Sequence, residues 1–187
     1  ISQLNSYNAQ GNPQSIVDPN GVTTTLTYTI DGYVSSSTTA GYKTSFTYDA
    51  AGDLTKVTNP DGSFISYTYD DAKRIVAIGN SGGNITFTLD AAGNRLSQKI
   101  NDPIGGVAFA ETKSYDALSR ILKIVGANGA QSFTYDTENN LLSSQDGRSN
   151  ATNYAWDALS RVTKVTDAKG GITQYGYGSG EQPTSIR

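Results

Sequence analysis

Along the whole chain a large aromatic or apolar residue is followed at once by a turn, at Tyr7, Tyr28, Tyr48, Tyr69, Leu89, Tyr115, Tyr135, Trp156 and Tyr177. The steps between these anchors are 21, 20, 21, 20, 26, 20, 21 and 21 residues. Each anchor ends a stretch of alternation. Two residues before it stand Leu26, Phe46, Tyr67, Phe87, Phe133, Tyr154 or Tyr175, with Lys113 breaking the column. The positions on either side of these are nearly all Ser or Thr, as at Ser45 and Thr47. A period of two puts aromatic residues on one sheet face and hydroxyls on the other. After the anchor the apolar residues are three apart, as in Leu54 and Val57, Ile75 and Ile78, Ile121 and Ile124, and Val162 and Val165. A regular strand cannot bring such a pair to one face, so the spacing predicts a bulge or a first residue packed under the turn. Stretches of about six residues between turn signals are too short for helices.

Two kinds of punctuation separate these stretches. Asp follows the anchor at Asp49, Asp70, Asp90, Asp116, Asp136 and Asp157. Four residues past the anchor comes Gly11, Gly32, Gly52 or Gly93, replaced in other copies by Lys73, Ser119, Asn139 and Ser160. Asn or Arg often comes next, as at Asn94, Arg120, Asn140 and Arg161. A second turn signal reads DPNG at 18–21, NPDG at 59–62, NSGG at 80–83, GANG at 126–129 and DAKG at 167–170. Pro presets φ and Gly accepts a positive φ, so these are turns with a mechanism. Two turns in each repeat of about 21 residues define an all-β chain of tandem antiparallel β-hairpins. The array runs through residues 1–187 as a single domain of about eight repeats, and both ends fall inside a repeat: YNAQGNPQSIVD at 7–18 aligns with YGSGEQPTSIR at 177–187. An array that continues beyond both ends is expected.

Composition narrows the chemistry. The chain has no His, Cys or Met, which removes Ser-His-Asp and Cys-His nucleophiles, thiolate metal sites and disulfides. A net charge of −3, with the 14 Lys and Arg scattered, leaves no basic footprint for nucleic acid. No apolar run is long enough for a membrane span, and the N-terminus ISQLNSYNAQ has no signal-peptide pattern.

Carboxylates are the remaining catalytic candidates. Glycosidases and aspartic proteases need two carboxylates with divergent pKa values. An Asp at the start of a turn instead accepts a hydrogen bond from the N–H two residues on. Six copies at fixed spacing suit a turn used six times, so no catalytic residue is assigned. Glu111, Glu138 and Glu181 have no notable context. DAAGD at 49–53 and DAAGN at 90–94 place oxygens near Gly but lack the dense ligand spacing of calcium loops, so no metal or cofactor is assigned. The structural anchors are Tyr28, Tyr48, Asp49, Gly52, Tyr69, Asp70, Leu89, Asp90, Gly93, Tyr115, Asp116, Tyr135, Asp136, Trp156 and Asp157. Their aromatic column is a packing face in which each cross-strand pair contributes roughly 0.2–1 kcal/mol. The other use for such a Tyr-rich face is adhesion, to a glycan or to a protein surface.

The stretch YDAAGDLTKVTNPDG followed by SFISYTYD at 48–70 resembles the YD repeat of the Rhs (rearrangement hotspot) family. Relatives within it include the B and C components of insecticidal toxin complexes, Gram-positive wall-associated proteins and teneurins. Thr29 stands for Asp after the second anchor, Leu89 for Tyr at the fifth, and Gly178 for Asp after the last. The resemblance implies a curved, spiralling sheet that forms a hollow shell, which in bacterial members surrounds a C-terminal toxin. It implies as partners the remainder of the same shell and an enclosed toxin domain, and a bacterial protein made in the cytoplasm and then secreted or delivered. Open strand edges lead to an expectation of self-association. NDPIGG at 101–106 is similar to the DPxGL core motif of the bacterial members, but it lies inside the single 26-residue step. A lengthened hairpin loop is expected there.

Overall fold

The computed structural model describes residues 3–187, and every regular element among them is a β-strand. The chain opens with β1 (Gln3–Tyr7), β2 (Pro13–Val17), β3 (Thr23–Tyr28), β4 (Val34–Thr39), β5 (Tyr42–Tyr48) and β6 (Leu54–Thr58). It continues with β7 (Phe64–Tyr69), β8 (Ile75–Asn80), β9 (Gly83–Leu89), β10 (Arg95–Asn101), β11 (Val107–Tyr115) and β12 (Ile121–Gly126). It ends with β13 (Gly129–Tyr135), β14 (Leu141–Asp146), β15 (Ala151–Trp156), β16 (Val162–Thr166), β17 (Ile172–Tyr177) and β18 (Pro183–Ile186). All 18 strands belong to one antiparallel sheet. The chain divides into two compact units, Ile1–Phe87 with Ile100–Ala108, and Thr88–Lys99 with Phe109–Arg187. Within each, a strand pairs with its neighbours in sequence, so nearly all pairing is local.

One five-residue turn accounts for most of the connections. In the turn after β5, Asp49 N–H donates to the Asp53 carbonyl at 3.0 Å and Gly52 N–H donates back to the Asp49 carbonyl at 3.1 Å. The fourth residue is left-handed, with φ of 84° at Gly52. This is a type I turn closed by a left-handed residue, a common three-residue hairpin loop. The second punctuation uses the same geometry at Asp18, Asn59, Asp102, Asp146 and Asp167. Two-residue loops replace it at 40–41, 81–82 and 127–128. At Gly52 glycine is needed twice over: its φ is left-handed, and a Cβ there would run into the Tyr33 ring, which stacks on Tyr48 at 5.0 Å.

The odd spacing after the anchors has its explanation in the register. Tyr48 pairs with Leu54 and Thr47 with Lys56, so Thr55 is an extra residue on the second strand. The same shift recurs at Tyr28, Tyr69, Tyr115, Tyr135, Trp156 and Tyr177. The bulge turns Leu54 and Val57 onto one face, opposite Tyr48 and Phe46. The other face is a hydroxyl ladder, with Oγ contacts of 2.6 Å between Thr27 and Ser36 and between Thr88 and Ser97, and of 2.7 Å between Thr134 and Ser143.

The structure corrects the expected loop at 101–106. The turn there has the ordinary size, with Asp102 N–H donating to the Gly106 carbonyl at 2.9 Å and Gly105 left-handed at φ 87°. The extra residues of the long step lie in the strands, seven in β10 and nine in β11. Added strand residues gain ladder hydrogen bonds that a longer loop would forgo.

No hydrophobic residue among those described is buried; only Ser36, 4% exposed, is. The chain exposes 12200 Å². Two separate compact units of half its mass would together expose only about 10,400 Å². The units are therefore single layers of sheet, stabilised by pairing and by partial cover of side chains within a face.

Candidate functional site

The anchors and their turns form the part of the chain where side chains do most of the bonding between repeats. Backbone pairing between hairpins stops short of the anchor turns: between β6 and β7 it ends at Lys56 and Ser66. The Leu54 carbonyl is left without a ladder partner, and the Tyr69 hydroxyl donates to it at 2.9 Å. The rule is general. Tyr28, Tyr48, Tyr115, Tyr135 and Tyr177 donate to the carbonyls of Pro13, Val34, Arg95, Ile121 and Val162, at 2.6–3.0 Å. The Trp156 indole N–H does the same to Leu141 at 2.8 Å. Each acceptor is the sixth residue after the preceding anchor, so each polar tip reaches back one repeat. Leu89 has no polar tip and makes no such bond. Burial, followed by the nearby Asp53, raises the pKa of Tyr69 and keeps its hydroxyl a donor.

The turn carboxylates face their own turns. Asp49 Oδ1 accepts the N–H groups of Ala51 and Asp53 at 2.9 and 3.0 Å. Asp70, Asp116, Asp136 and Asp157 accept from the same two positions, and Asp90 accepts from Asn94. The second oxygen binds the side chain four residues on. Arg74, Arg120 and Arg161 donate through Nε at 2.8, 2.6 and 2.7 Å, and Asn94 and Asn140 through Nδ2 at 2.9 Å. These bonds favour the ionised form. The Arg120 backbone N–H holds Asp116 below the ordinary carboxylate value, and the Arg161 side chain does so for Asp157. At Asp136 partial burial, the largest influence, opposes the shift, yet Asn140 and the turn N–H groups still pull the pKa down. A carboxylate held charged by fixed donors is a poor general acid.

The arginines also bridge successive repeats. Arg120 Nη1 donates to the Asp136 carbonyl at 2.8 Å and to Asn139 Oδ1 at 3.0 Å, and the guanidinium lies 4.8 Å from the Tyr135 ring centre. Arg161 reaches the carbonyls of Gly178 and Gly180 and lies 4.5 Å from Tyr177. Asn94 reaches Ser119 at 3.0 Å, and Lys73 reaches back to Ala51 and Asp53. The sequence shows Asn and Arg recurring at this position, since both can donate to a carboxylate four residues back. It does not show which repeat the far end contacts.

No group of three or more Asp, Glu, His or Cys side chains among the described residues could hold a metal ion. No helix among them is long and apolar enough to cross a membrane.

Like hairpins, closed by the same turn and, except at Leu89, tied to the previous one by an aromatic donor, define a structural β-repeat module. The chain belongs to the RHS Repeat family, whose model matches residues 7–44, 31–64, 48–85 and 135–172. Among solved structures it is similar to TcdB2-TccC3 without its hypervariable C-terminal region, with a TM-score of 0.59 at 15% identity over 95% of this chain and 12% of that one. A further TcdB2-TccC3 structure gives 0.56 at 16% identity over 92% and 12%. The Photorhabdus luminescens Tc holotoxin pore gives 0.54 at 15% over 99% and 13%. At such identities the likeness is one of fold, and the chain spans about an eighth of the length of these proteins. No curated protein matches it.

Proposed function

We propose that this chain is a non-catalytic wall segment of an Rhs-repeat shell that encloses a toxin or effector polypeptide. The observation that carries the reading is the single-layer sheet with no buried hydrophobic residue among those described, a construction that suits a wall with contents on one side. The fold likeness to toxin-complex chains supports it. The anchors from Tyr28 to Asp157 would hold successive hairpins in register along one array spanning 1–187. The partners are then the rest of the shell and its contents, and the protein is a bacterial one made in the cytoplasm and secreted or delivered. In isolation the uncovered apolar face and strand edges would drive self-association, seen as a mass that rises with concentration in light scattering.

The test is limited proteolysis of the array expressed together with its flanking sequence. A downstream polypeptide that resists protease, and becomes sensitive when Tyr48 and Tyr135 are replaced by Ala, supports containment. Equal digestion with the intact array, or hydrolytic activity lost in a folded Asp49→Asn variant, overturns it.

A further inference from the structure

The anchor face of the 109–187 unit contains a polar island. Three residues into the strand after each anchor, most copies place Ile16, Val57, Ile78, Ile124 or Val165. In β14 that position is Ser144, which pairs with Phe133 on one side and Thr152 on the other. These three residues, with Gln131, Asp146 and Asn150, line a cavity of about 330 Å³. That is the low end of the range for small-ligand sites, about 300–1,000 Å³.

The lining has unused hydrogen-bonding capacity. Among the described residues the side chains of Gln131, Ser144 and Thr152 make no hydrogen bond, whereas the hydroxyls of Thr134 and Ser143 on the opposite face satisfy each other at 2.7 Å. Asp146 is the one charged group in the lining. It accepts from the Arg148 and Asn150 N–H groups and from Asn150 Nδ2, all at 2.9 Å, which leaves about one of a carboxylate's four lone-pair sites for a ligand. Phe133 supplies the apolar surface. Free amide and hydroxyl groups, one carboxylate acceptor and one aromatic ring suit a ligand that is uncharged, rich in hydroxyls and apolar on one face. A pyranose ring has that chemistry. An anionic sugar would meet Asp146.

We propose that this cavity is a binding subsite for one neutral pyranose residue of a glycan. The assignment is independent of containment, because it concerns one hairpin and its neighbour.

Saturation-transfer NMR of the 187-residue chain with the methyl glycosides of glucose, galactose and mannose, and with N-acetylglucosamine, tests it. Transfer to at least one of them is expected. Ser144→Val with Thr152→Val gives the island the apolar character of other copies, so the fold should hold while affinity falls about tenfold or more from two lost hydrogen bonds. Ser37→Val, at the equivalent position of a hairpin without this cavity, should leave binding unchanged. Gln131→Glu is a near-isosteric second variant, useful if the double variant does not fold, and should also weaken binding. No transfer to any of the four sugars overturns the proposal. So does undiminished binding in a folded double variant, or in Gln131→Glu where the double variant fails to fold, because the sugar would then sit elsewhere, for instance on the exposed Tyr42.

Discussion

At Asp157 a single carboxylate accepts two backbone N–H groups and an arginine, and the same pattern of depressed titration recurs at Asp70, Asp90, Asp116, Asp136 and Asp146. A folded pKa below the unfolded one means the stabilisation is fully present above the ordinary value of 3.8 and is lost as pH falls through the lower folded values. The urea midpoint should therefore stay level from pH 7 to pH 5, where no His titrates, and drop steeply below about pH 3.8. A midpoint still level at pH 2.5 would mean the turn carboxylates contribute nothing. Ser160 is a different residue-scale case. It sits at φ 56° in the position that Gly52 and Gly93 occupy in other copies, so an L side chain carries left-handed strain there. Ser160→Gly should raise stability by about 0.5–1 kcal/mol, measured by chemical denaturation.

At the scale of the hairpin, the polar tip of the anchor is what joins one repeat to the previous one. Tyr135→Phe keeps the ring and removes only the bond to the Ile121 carbonyl; the expected loss is about 1 kcal/mol. Leu89→Phe at an anchor with no polar tip should cost no comparable hydrogen bond, and an equal loss at both sites would remove the hydroxyl's special role. Arg120→Lys keeps the charge but cannot hold Asp116, the Asp136 carbonyl and the Tyr135 face together. A loss of about 1 kcal/mol is expected, read from the shift in denaturation midpoint.

At the scale of the whole molecule, stability resides in contacts between neighbouring strands and not in a shared core. Each hairpin depends on the next, so amide exchange should be slowest in the middle strands of each unit, such as β5 and β14, and fastest towards β1 and β18. Uniform protection with a single sharp transition would point to a cooperative core that the burial pattern lacks. The period, the alternation and the Asp-to-Gly turn spacing were all legible in the sequence, because each depends on residues within about ten positions of one another. The bulge was legible too, as Leu54 and Val57 three apart, although its place opposite the anchor was not. The long step was misread as a loop because Pro103, Gly105 and Gly106 announce a turn without saying how long the flanking strands run.

Local chemistry by itself determined that this chain is a ladder of hairpins, since turn residues and side-chain alternation act within a single hairpin. Only the tertiary structure decided what the ladder's parts do for one another. A Tyr hydroxyl finds the carbonyl six residues past the preceding anchor because pairing between hairpins stops there, and Ser144, Thr152 and Gln131 converge because three strands in register bring them to one face. Such partners depend on strand register, which a single repeat does not contain.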